Sequence, residues 1–139
     1  MIYKTDRIER EWERVCDPRL QFILRAADHY MAERHGSGLR ITSLLHDPKL
    51  DGDLGRKSNT KHRLNGSTHK CEAADVNPEA EYASSWEEWR RVLKIWLRQV
   101  DGIDVVLHGK EANRHLHIEI EECRNACYQV ALKSPMVKI

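Results

Sequence analysis

The chain has 139 residues, 40% hydrophobic and 32% charged, enough for one domain (1–139) with a real core and no disulfide staples. Its 23 basic and 22 acidic side chains leave a formal charge of +1, so no net field recruits nucleic acid or an anionic membrane. No apolar run approaches a membrane span, and charges interrupt the N-terminal residues too often for a secretory leader, so the expected place of synthesis is the cytoplasm.

Residues 6–15 carry Ile8, Trp12 and Val15 at helical spacing. Asp17-Pro18 then supplies an N-cap and a first-turn proline, and Leu20, Ile23, Leu24, Ala27 and Met31 mark one face of a helix ending at His35-Gly36. Residues 38–45 are β-rich and run to a turn signal at Asp47-Pro48. From Pro48 to Thr68 the chain is polar and holds Gly52, Gly55, Asn59 and Gly66, a long loop of the functional or disordered kind. Its basic residues, Arg56-Lys57 through Lys61-His62-Arg63, read as solvated charges. Cys71 to Val76 reads as a short buried strand.

Ser84-Ser85 caps the clearest helix, with Glu87 and Glu88 favouring its positive end. Along it Trp86, Trp89, Leu93, Trp96, Leu97 and Val100 form a stripe that reads as core rather than as a platform for a sugar or a base. Asp101-Gly102 is a turn, Ile103 to Leu107 a strand, His108-Gly109 to Asn113 a loop, and Arg114 to Ile120 the last strand. On that strand Leu116, Ile118 and Ile120 face one way, and His115, His117 and Glu119 the other. The order of elements predicts an α+β fold, with helices on one face of a small, mainly antiparallel sheet. Cys16, Cys71, Cys123 and Cys127 contain no CxxC and are expected as reduced thiols, with Cys123 and Cys127 read as buried small hydrophobes.

Chemistry concentrates in two places. His115-Leu116-His117 sets two imidazoles on one strand face, where unpaired they cost desolvation energy. Upstream, Ser67-Thr68-His69 precedes Ala73-Ala74-Asp75-Val76, an apolar setting that is costly for an isolated carboxylate. Two histidines and an aspartate, here His69, Asp75 and His117, make the protein ligand set of a catalytic zinc with one position left for water. His115 then stands beside the metal as an acid or base.

These residues resemble the zinc peptidases that cleave bacterial cell-wall peptides, the D-Ala-D-Ala carboxypeptidase and L-Ala-D-Glu endopeptidase family, which includes many phage lysis enzymes. The family signature is Ser-x-His-x-x-Gly-x-Ala-x-Asp, followed downstream by Glu-x-x-His or His-x-His. Ser67 to Val76 matches both ends of the first part, and Ile103 to Leu107 with His115 to Glu119 resembles the closing strand pair of the His-x-His branch. Arg40-Ile-Thr-Ser43 is similar to the family's earlier strand, so the likeness covers residues 38–120.

Two departures stand out. The family spaces its histidine and aspartate one position further apart than His69 and Asp75, and Cys71 stands where the glycine belongs. His62, in the same loop, is therefore the alternative first ligand. The family's substrate-binding arginine falls near His46, with Arg40 or Arg114 as its replacement.

The resemblance implies a fold shared with the D-Ala-D-Ala peptidases and Hedgehog domains, bound Zn2+, and peptidoglycan peptides as substrate. It implies His115 as catalytic base, with Glu111 as a second candidate, Glu119 orienting a ligand histidine, and Arg40 and His46 near the substrate. The site of action is then the cell wall, reached after release as in phage lysis, with no membrane insertion and no nucleic-acid partner. A zinc-binding module of the same fold without catalysis is the alternative.

Overall fold

In a computed structural model, residues 1–45, 61–65, 67–79, 83–109 and 113–121 are described, those at 83–85 by their backbone alone. Three helices, α1 (Asp6–Arg14), α2 (Pro18–His35) and α3 (Ala83–Leu97), accompany a five-stranded sheet. Its strands are β1 (Ile2–Tyr3), β2 (Leu39–Ser43), β3 (Ala73–Pro78), β4 (Ile103–His108) and β5 (His115–Ile120), in the order β1-β2-β3-β5-β4.

The helix termini follow local chemistry. Thr5 Oγ1 accepts the Ile8 N–H at 3.2 Å to start α1, and Asp17 Oδ1 accepts the Arg19 N–H at 2.8 Å to start α2 with Pro18 in its first turn. Gly36 ends α2 at φ 78°, a left-handed conformation open to glycine, and its N–H closes on the Ala32 carbonyl at 3.1 Å. The apolar face read from the sequence is the face α2 buries: Leu20, Ile23, Leu24, Ala27 and Met31 are wholly inaccessible. The larger of these contribute about 1.5–3 kcal/mol each on burial. The stripe on α3 joins the same interior, with Trp89, Leu93 and Leu97 fully buried. Its helix begins at Ala83, one residue before the expected serine cap.

The sheet supplies the other half of this core through Leu39 and Ile41 of β2, Ala74 and Val76 of β3, and Leu116, Ile118 and Ile120 of β5. Helices therefore cover one sheet face, as the α+β reading expects. The sheet itself is mixed rather than mainly antiparallel: β1 runs parallel to β2, while β2–β3, β3–β5 and β5–β4 are antiparallel. The two residues of β1 are too short to show any alternation, so no sequence pattern announced that strand. Among the described residues no helix is long and apolar enough to cross a membrane.

Candidate metal centre

Because side chains alternate along a strand, burying Ala74 and Val76 beneath the helices turns Ala73, Asp75 and Asn77 to the opposite face. On β5, burial of Leu116, Ile118 and Ile120 does the same for His115, His117 and Glu119. The β3–β5 register sets Asp75 directly across from His117, and their side chains meet with Oδ1 3.1 Å from Nδ1.

A third side chain arrives from outside the sheet. The segment from Lys61 to Glu72 folds back on itself through an antiparallel bridge between Leu64 and Cys71. Cys71 is fastened to the start of α2: its N–H donates to Val15 O at 2.7 Å, and its carbonyl accepts the Asp17 N–H at 2.9 Å. Buried Glu72 receives Arg19 and the Asn65 side-chain amide, each at 3.1 Å. Lys61 Nζ donates to the Ile120 carbonyl at the end of β5. Held in this way, His62 places Nε2 3.1 Å from Asp75 Oδ1 and 3.1 Å from His117 Nδ1.

The three atoms form a triangle with equal edges, and their residues are almost fully buried, at 2% exposure for His62 and 7% each for Asp75 and His117. Outer partners fix what the imidazoles present to one another. His62 Nδ1 lies 2.7 Å from the Leu44 carbonyl, which can only accept, so Nδ1 donates there and Nε2 is the nitrogen turned to Asp75 and His117. His117 Nε2 faces Glu119 Oε1 at 3.7 Å, so its Nδ1 is the nitrogen turned to His62 and Asp75 and would supply the lone pair to an ion.

Two bare nitrogens and a carboxylate oxygen at this spacing repel unless a cation lies among them. Ligands about 2.0–2.1 Å from a tetrahedral ion sit about 3.3–3.4 Å apart, close to the edges seen here. His62, Asp75 and His117 thus form a buried group that can hold a metal ion.

Without an ion, protons fill this role. Burial opposes charge on His117, but the hydrogen bonds and negative charge of Asp75 and Glu119 outweigh it and lift its pKa to about 9. Burial pushes Asp75 upward, yet the hydrogen bonds from His117 and His62 and the nearby imidazoles hold its carboxyl well below the usual range. The His117 interaction likewise lowers Glu119, against the effect of its partial burial.

Two of the three ligands expected from the sequence, Asp75 and His117, come together, and His62 takes the place assigned to His69. His69 lies exposed in the turn beyond the Leu64–Cys71 bridge, at φ 57°, with its N–H on the Asn65 carbonyl at 2.8 Å. Asn65 Oδ1 caps that turn by accepting the Ser67 and Thr68 N–H groups. A residue at the tip lies on the far side of the bridge from the sheet, whereas His62 lies on the near side.

His115 stands beside the group, its Nε2 3.6 Å from Asp75 Oδ2 and its Nδ1 2.9 Å from the Asn113 carbonyl. Arg40 occupies the same sheet face, opposite Asn77 and so two residues along β3 from Asp75. Arg114 is turned elsewhere, stacked 4.4 Å above Trp86 with Glu87 at 3.6 Å. His46, Glu111, Cys123 and Cys127 lie outside the described residues.

The sequence reading also placed His108 in a loop. It is the last residue of β4, register partner of His115, and its ring stacks on His117. Desolvation, then the neighbouring His117 and His115, push its pKa down.

No protein-family model matches the chain, and no curated protein matches it.

Proposed function

We propose that this chain is a zinc peptidase that hydrolyses the short peptides of bacterial peptidoglycan, with His62, Asp75 and His117 as its zinc ligands. The observation that carries the reading is the convergence of two imidazole lone pairs and one carboxylate oxygen at mutual distances of 3.1 Å. A donor set of two nitrogens and one oxygen suits zinc, and three protein ligands leave a position open. Zinc bound there supplies Lewis acidity, which polarises a carbonyl and acidifies water.

The chain's own groups provide the remaining steps. His115 donates from Nδ1 to Asn113 O and turns Nε2 towards Asp75 Oδ2 at 3.6 Å, where it would take a proton and return it to the leaving amine. Leu44 O and Glu119 hold the two ligand imidazoles in the tautomers that present lone pairs. Arg40, on the same face, is the cation nearest in register to receive a substrate carboxylate.

The fold is then that of the D-Ala-D-Ala peptidases and Hedgehog domains, and the setting a phage or prophage lysis protein that reaches the wall after release. That setting rests on the resemblance alone. A zinc-binding module without turnover is the second reading, favoured by the displacement of the signature residue His69 from the centre. Incubating the protein with purified peptidoglycan, with and without a chelator, tests both. Chelator-sensitive release of peptides with new termini supports the peptidase; zinc uptake without release supports the module.

A further inference from the structure

We infer that His108 is a positioning residue for this centre, a flat plate against which the rings of His117 and His115 are both held. The inference rests on the reading of His62, Asp75 and His117 as a metal centre.

The geometry is specific to one imidazole touching two others in different ways. The His108 ring lies nearly parallel to His117, with centroids 5.1 Å apart and planes inclined by 23°. It meets His115 edge-on, at 5.7 Å and 86°. His115 and His117 project from the same strand face two residues apart, so a gap separates their rings, and His108 from the neighbouring strand closes it.

Gly109 and Asn113, just beyond β4 and just before β5, set this contact. Gly109 adopts φ 76°, and a β-carbon there would run into the backbone carbonyl of Asn113. That carbonyl also accepts from His115 Nδ1 at 2.9 Å. The approach of Gly109 to Asn113 therefore places His108 and orients His115 together.

Ring plane matters because an imidazole lone pair lies in the plane of its ring. A tilt of His117 about its χ2 carries Nδ1 away from the point it shares with His62 and Asp75. Glu119 restrains the far nitrogen of His117 from a distance of 3.7 Å, and His108 restrains the face of the ring. His108 is itself exposed on an edge strand, so deleting its ring leaves no hole in the core.

The test compares the wild-type chain with His108→Ala and His108→Phe. Zinc affinity is measured by competition with a chromophoric chelator, and the geometry at the ion by the visible absorption of the Co2+-loaded protein. Loss of the plate in His108→Ala should weaken zinc binding by about 10–100-fold and alter the Co2+ bands. His108→Phe stacks without offering a nitrogen and should restore both. Wild-type affinity and bands in the alanine variant, or a phenylalanine variant as defective as alanine, overturn the inference while leaving the centre intact. A wild-type protein that takes up neither ion overturns the centre and the inference with it.

Discussion

Without a metal in the centre, the stability of this protein should depend on pH through the buried His117 and its carboxylate partners. In the metal-free chain His117 titrates at about 9 instead of its ordinary 6.5, because the buried Asp75 carboxylate and Glu119 hold its charge. At about 1.36 kcal/mol per pH unit of displacement, that contact stabilises the fold by at most ~3 kcal/mol. For a group whose folded pKa is raised, the stabilisation is complete below about 6.5 and is lost as pH climbs towards 9. The depressed Asp75 describes the same interaction from the other side, so the two are not added: its share is present above the ordinary 3.8 and lost as pH falls well below it. Thermal melts of chelator-treated protein at pH 6 and pH 9.5 read the effect, at roughly 2–8 °C per kcal/mol for domains of this size range. Asp75→Asn removes the charge that holds the imidazolium and should flatten the dependence between these two pH values. Equal pH dependence in the wild type and Asp75→Asn would refute the reasoning.

Other expectations follow from the same geometry. His62→Ala should lose tightly held zinc, while His69→Ala, altered only at an exposed turn, should keep it; elemental analysis after dialysis separates them, and the reverse outcome restores His69 as ligand. If the proposed peptidase reading holds, His115→Ala should retain the metal and lose turnover on peptidoglycan, checked by zinc content alongside released peptides. Gly109→Ala forces a side chain into a left-handed position and against the Asn113 carbonyl, and should destabilise the protein by about 1–3 kcal/mol in urea titrations. Leu116→Ala empties a fully buried site on the helix side of β5 and should cost about 2–5 kcal/mol by the same measurement, with the histidine face unchanged in charge.

Where the chain repeats a physical period, the fold was legible. The α2 face and the α3 stripe were readable because burial at a spacing of 3.6 writes itself into consecutive turns. The alternation in Leu116, Ile118 and Ile120 likewise announced which way His115 and His117 would point, and those two assignments rest on nothing subtler. His62 was harder to read because tertiary hydrogen bonds, not periodicity, decide where its loop goes. The bridge from Leu64 to Cys71 folds the segment back on itself, and the anchors of Cys71 on Val15 and Asp17 link residues more than fifty apart in sequence. The one local clue was the separation of six between His69 and Asp75, one short of the family spacing. His108 was lost for a smaller reason: the glycine after it marked a turn, and the strand runs one residue further than the apolar pattern suggested.

Placing Asp75 and His117 as partners across two adjacent strands gives the sheet a built-in check on its own alignment. Sliding β5 by a single residue would drive both of its imidazoles in among the tryptophans and leucines, and bring isoleucine and leucine out to meet the carboxylate. A mispaired molecule would thus fail to capture an ion at all. Occupancy of the centre then becomes a gauge of how faithfully these strands have paired.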